Sequence, residues 1–137
     1  MTTLADIRQG LAANLQALPG VEVYEREGGM VNVPCVVVVT PSIDYHQSFS
    51  AAGLCRYDFR LMALVQSADS DQSGIDLDAY ADPTSPTSVR VAVESDRTLG
   101  GIADDLICTS FRPLSSEEVS GIGYWGGEFT VTVYARP

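Results

Sequence analysis

The chain has 137 residues, of which 45% are hydrophobic and 19% charged, and its net charge is −10. These totals suit one folded domain over residues 1–137 and argue against disorder. They argue against tight binding to duplex DNA or an anionic membrane, because both need Lys and Arg to displace counterions.

In chain order, the first twenty residues lack the basic start and unbroken apolar run of a signal peptide. Thr3-Leu4-Ala5-Asp6 reads as a capping box with Asp in place of Glu. Leu4, Ile7, Leu11, Leu15 and Leu18 then recur at helical spacing, and Leu18-Pro19-Gly20 stops the helix. Val21-Glu22-Val23-Tyr24 alternates as a half-buried strand does, and Glu25 to Gly29 is a turn. Pro34 to Thr40 holds four consecutive valines, which fits a strand covered on both faces. Its apolar run, Cys35 to Val39, is far too short to span a bilayer.

Ile43 to Gln66 reads as a hairpin looping at Ser50-Ala51-Ala52-Gly53, with His46 on its first arm facing solvent. Ser67 to Ser88 is polar, and within it Ile75, Leu77, Ala79 and Tyr80 mark a short helix. The Asp82-Pro83 and Ser85-Pro86 steps end it. Val89 to Val93 reads two ways: its alternation suggests a strand, and the polar start Ser85-Pro86-Thr87-Ser88 suggests a helix cap. The turn chemistry favours the helix, ending near Arg97 to Leu99 with Gly100 in the left-handed position. Ile102 to Arg112 and Tyr124 to Ala135 read as strands. The sum is an α+β fold, a mostly antiparallel sheet of five or six strands with two or three helices packed on one face.

Catalysis needs a nucleophile, a base and a group that orients the base. The single histidine, His46, has no such company. No serine lies in a GxSxG elbow, and Cys35, Cys55 and Cys108 form no CxxC pair, so they read as reduced core thiols. Leu99-Gly100-Gly101 lacks the Lys and the spacing of a phosphate loop. The expectation is a protein that is not an enzyme and carries no metal or cofactor. Asp69-Ser70-Asp71-Gln72-Ser73-Gly74 matches the first half of a calcium loop, but Tyr80 stands where the bidentate Glu belongs. Tyr124 and Trp125, in the glycine-rich run Gly121 to Gly127, read as a hairpin turn covering the sheet edge or a neighbouring subunit; a sugar platform is the other reading.

The order of these features resembles the tail-terminator (neck, or head–tail completion) proteins of long-tailed bacteriophages, especially those of actinobacterial hosts. The likeness runs over nearly the whole chain. It is carried by the helix ending at Leu18-Pro19-Gly20-Val21, the valine-rich strand after a proline, Leu77-Asp78-Ala79-Tyr80, Asp96-Arg97-Thr98-Leu99-Gly100-Gly101, and Tyr124-Trp125-Gly126-Gly127-Glu128-Phe129. The resemblance implies a virion structural protein of the tail–head junction, made in the host cytoplasm. It implies a hexameric ring of this chain that caps the tail tube, stops its polymerisation and joins it to the head connector, with no membrane contact. DNA would pass through the bore without sequence-specific binding. An acidic wall suits that passage because it repels the phosphate backbone, and Asp69, Asp71, Asp76, Asp78 and Asp82 are the candidates to line it. Tyr124 and Trp125 are the candidate subunit interface. Another neck protein, or a small calcium- or sugar-binding module, remains the alternative.

Overall fold

The computed structural model describes residues 3–26, 34–46, 53–67, 71–119 and 122–136; of 66, 67, 71–74, 76, 114–119 and 122–125 it describes the backbone alone. The elements are α1 (Leu4–Leu15), β1 (Glu22–Tyr24), β2 (Cys35–Asp44), β3 (Cys55–Ser67), α2 (Asp71–Ala81), α3 (Val89–Val93), a 3-10 turn (Leu99–Gly101), β4 (Asp105–Val119) and β5 (Ile122–Ala135). The strands form one sheet in the order β1-β2-β3-β5-β4. Only the short β1–β2 pair is parallel among the described pairings. The architecture is the expected α+β, with five strands and three α-helices.

The capping box forms as its residue types require: the Asp6 N–H donates to Thr3 Oγ1 at 3.2 Å, and the Thr3 N–H donates to the Asp6 carboxylate at 3.0 Å. It starts α1, whose Ile7, Leu11 and Leu15 are fully buried. The register then stacks matching rows across the sheet. Tyr57, Val133 and Leu106 lie in one row; Leu61, Phe129 and Phe111 lie in another. With Phe59, Val131, Val36 and Val38 they make the core face under the helices. Burying each such side chain contributes roughly 1.5–3 kcal/mol, so this face dominates the stability. The opposite face holds a smaller apolar cluster, Cys35, Val37 and Leu64, and then turns polar along the strands.

Several expectations are corrected. The valine strand and the first hairpin arm are one strand, β2, with a register shift between Val39 and Ser42 that absorbs Thr40 and Pro41. β2 stops at Asp44, so His46 sits in an exposed turn and not on a strand. The helix at Val89 ends at Val93, well before the glycines. Its core positions Val89, Ala92 and Val93 fall at i, i+3 and i+4, which is why the period-two pattern misleads. Residues 122–127 of the glycine-rich run are strand and not turn, because β5 begins at Ile122; Gly121 lies outside the described residues. Gly126 and Gly127 are there for space, because a Cβ on Gly126 would meet the Ala63 carbonyl and one on Gly127 would meet the Phe111 ring.

Candidate functional site

Leu99-Gly100-Gly101 forms a tight 3-10 turn. Asp96 organises it: its carboxylate accepts the N–H of Thr98 at 3.1 Å, the hydroxyl of Thr98 at 3.0 Å and the N–H of Gly100 at 2.9 Å. Those backbone hydrogen bonds hold the Asp96 carboxyl below its ordinary range. Arg97 forks onto both oxygens of Asp105 at 2.8 Å and reaches the Leu106 carbonyl at 3.1 Å. Leu99, Gly100 and Gly101 have φ of 50, 72 and 96°. The strained Leu99 is held because its side chain is buried against Gly10 of α1, where a Cβ would come within 2.9 Å of the Leu99 Cβ. From the same helix, Asn14 donates to the carbonyls of Val93 and Asp96 at 2.9 and 3.0 Å. Asp96 closes the turn on its own backbone and Arg97 ties it to β4 at the surface, while buried Leu99 and the Asn14 bonds tie it to α1.

The acidic segment behaves otherwise. Asp69 lies outside the described residues, and of Asp71 and Asp76 only the backbone is placed, in α2. The helix is anchored by buried Leu77 and by Tyr80 packed on the core, against β3 and β5. Ile75, Asp78 and Asp82 fall at i, i+3 and i+7, and all three are exposed, Ile75 at 63%. One Asp82 oxygen accepts the N–H groups of Thr84 and Ser85 at 2.8 and 3.1 Å, which ends the helix in a tight turn. Helical backbone from Asp71 puts Gly74 inside α2, whereas a calcium loop needs its glycine at a sharp bend. Among the described residues no group of His, Cys, Asp and Glu is placed to hold a metal ion.

Tyr124 and Trp125 are brought into β5, with Tyr124 opposite Ser67 on β3 and Glu117 on β4. The residues that pattern reading passed over lie on the open face of the sheet. Arg56, Asp58 and Arg60 alternate there with buried Tyr57 and Phe59. That alternation was a readable sign of a charged outer face. The Thr132 hydroxyl donates to Asp58 at 2.8 Å, and Arg56 meets the same oxygen at 3.1 Å. Glu128 serves two guanidiniums, Arg112 at 3.3 Å and Arg60 at 3.7 Å. Beside them the β2 irregularity opens a shallow cavity of about 450 Å³ lined by Thr40, Pro41, Ser42, Asp58, Arg60 and Thr130.

A second cavity of about 300 Å³ lies where the end of α2, α3 and β4 meet, lined by Ala81, Pro83, Arg90, Cys108 and Phe111 among others. Burial, reinforced by Glu94 and opposed by Arg90, pushes the Cys108 thiol up to about 11. Burial pushes Cys35 up to about 11 as well, with Glu22 adding a little and a backbone hydrogen bond from Leu64 opposing. Both stay protonated near neutral pH and are poor nucleophiles. All three cysteines are free.

The two ends of the sheet differ. β1 is only three residues long. On β4, the outward groups of its first residues are already occupied: Arg97 takes the Leu106 carbonyl and the Glu94 carboxylate accepts the Cys108 N–H at 2.9 Å. Pro113 further along has no N–H to offer. This edge is blunted against indiscriminate strand pairing. No protein-family model matches the chain, and a search of curated proteins finds no match.

Proposed function

We propose that this chain is a structural tail terminator: a protein that closes into a six-fold ring on the end of a phage tail tube, halts its growth and presents a seat for the head connector. The observation that carries the reading is the separation of two unlike surfaces. The helix layer exposes Asp78 and, just past α2, Asp82, and the opposite sheet face carries Arg56, Arg60 and Arg112 paired with Asp58 and Glu128. A ring needs a heterologous contact, in which one patch of a subunit meets a different patch of the next. Opposite faces of a two-layer fold supply such a pair.

The charge balance supports the same reading. With eight basic residues against eighteen acidic ones, the chain suits a channel that DNA crosses without sticking. The acidic segment from Asp69 to Asp82 is the proposed wall of that channel. The order of Leu77-Asp78-Ala79-Tyr80, the Asp96–Gly101 turn and the Tyr124–Phe129 strand, which resembles the terminators, supports the reading; another neck protein is the alternative.

The test is tail-tube growth. Tail-tube protein from the same phage is polymerised with and without this chain, and tube lengths are read by electron microscopy. Tubes that stop growing and end in a ring agree with the proposal. Unchanged lengths and bare ends overturn it.

A further inference from the structure

The ring reading makes no use of the second cavity, between the end of α2, α3 and β4. Its floor is aromatic. Phe111 lies against Phe129 with ring centroids 4.9 Å apart and planes 49° from parallel. Gly127 makes that packing possible, because a Cβ there would meet the Phe111 ring. Phe129 is buried and Phe111 only half-buried, so Phe111 still offers ring surface to an occupant. Ala81, Pro83 and Cys108 extend the apolar wall, and Thr109 and Ser110 add a polar rim.

One charge lines the cavity. Arg90 supplies it, and no carboxylate stands among the described lining residues. The nearest anion is Glu94, whose carboxylate comes within 3.4 Å of Arg90 Nε. That is longer than a charge-assisted hydrogen bond of about 2.7–2.9 Å. The other Glu94 oxygen already accepts the Cys108 N–H at 2.9 Å. Glu94 therefore steadies Arg90 from outside the cavity and offsets part of its charge. A guanidinium has five N–H donors in a planar fork, and this side chain is 51% exposed. It keeps donors for a second carboxylate.

We propose that this cavity binds an aromatic carboxylate, with its ring on the Phe111–Phe129 floor and its acid group on Arg90. Tilted rings attract one another beyond the area they bury, so a third ring continues the pair. A benzene ring fills a protein cavity of about 150 Å³. The volume of about 300 Å³ therefore admits a ring and a short chain bearing the acid. The site is complete within one copy of the chain and stands apart from the ring reading. Two sources share this chemistry: a free aromatic acid, and the C-terminal Phe or Tyr of a polypeptide.

The experiment follows backbone amide NMR shifts of Cys108, Thr109, Ser110 and Phe111 as probes are added at about 0.15 M salt, where the chain's net negative charge is screened beyond about 8 Å. The probes are 3-phenylpropanoate, its uncharged amide, and Gly-Gly-Phe with a free or an amidated C-terminus. 3-Phenylpropanoate should shift these four amides together, with a Kd of about 1 mM. Its amide should bind about tenfold more weakly. Arg90→Gln, at an exposed helix position and checked for a parent-like unfolding midpoint, should weaken the acid by the same factor and leave the amide unchanged. Tighter binding by Gly-Gly-Phe than by the free acid, lost on amidation, assigns the site to a polypeptide C-terminus; the reverse order assigns it to a free acid. No shifts at these amides from any probe up to about 10 mM would overturn the proposal. So would equal binding of acid and amide, or an acid affinity that Arg90→Gln leaves intact. Tube capping has no part in these readouts, so the ring reading survives or fails separately.

Discussion

In the Asp96–Gly101 turn, one carboxylate closes three hydrogen bonds and an adjacent arginine forks onto Asp105. In α2, Asp78 stands exposed beside an exposed isoleucine, and Asp82 stands exposed one residue past the helix end. Both segments are short, and each carries Asp carboxylates among polar and apolar residues. The difference lies in where the charges are used. The turn directs them to its own backbone and to β4, so its contribution is to stability. The helix holds itself down with Leu77 and Tyr80 and leaves Asp78 exposed, while Asp82 just beyond it closes a turn on Thr84 and Ser85; under the proposed ring, Asp78 is available to a neighbour. Substitutions should separate the two regions cleanly: those in the turn lower stability, and those at Ile75 and Asp78 lower assembly alone.

The largest effect is expected at Leu99, which is 4% exposed and wedged against Gly10. Leu99→Ala should cost about 3 kcal/mol, from lost burial and the cavity left behind. Denaturant unfolding monitored by circular dichroism gives the number directly. A cost under about 0.5 kcal/mol, the level of an ordinary surface change, would mean that the turn does not clamp the helix.

Next in size is Gly101→Ala. Gly101 has φ of 96°, outside the reach of an unstrained alanine, although a Cβ there would meet open space. Strain alone should therefore cost about 1–2 kcal/mol. Crowding plays no part in that figure.

Asp96 sharpens the comparison through pH. Its carboxyl ordinarily titrates at 3.8 and is held lower in the fold by the bonds from Thr98 and Gly100. A lowered folded value means that the charged form stabilises the fold. The contribution is complete above 3.8 and disappears as pH falls through the folded value. Asp96→Asn should therefore be less stable than the parent at neutral pH, with the gap narrowing below pH 4. A gap that stays constant with pH would contradict the role given to this carboxylate.

The smallest effect on stability belongs to Ile75 and Asp78. Ile75→Ser and Asp78→Asn should change unfolding by no more than about 0.5 kcal/mol, while weakening self-association. A large loss of stability from either would show that α2 is used inward like the turn.

The same contrast explains what was readable beforehand. The capping box at Thr3 and Asp6 was plain because its partners are three residues apart, and local chemistry is written locally. The cap at Ser88, whose hydroxyl accepts the Val91 N–H at 3.2 Å, was local too, but the alternation of Val89 to Val93 competed with it. The α+β class followed from helical spacing in one place and alternation in others. What could not be read was set by distant partners. Gly126 and Gly127 look like a turn until the Ala63 carbonyl and the Phe111 ring are brought against them. Gly100 looks like the end of the Val89 helix, but Leu99 must reach back to α1 first. The junction of β2 at Thr40–Pro41 is invisible in composition, because proline more often ends a strand than bulges one. The Arg60 cavity beside that bulge was hidden for the same reason. Its residues come from β2, β3 and β5, and only the strand order brings them together.

The measurement that bears most directly on the account is negative-stain imaging of the purified chain, with light scattering on the same samples across a concentration series, alone and with tail tubes added. The account predicts a closed six-fold ring with a bore wide enough for duplex DNA, free or seated on tube ends. A monomer in every sample, with bare tube ends, would contradict it.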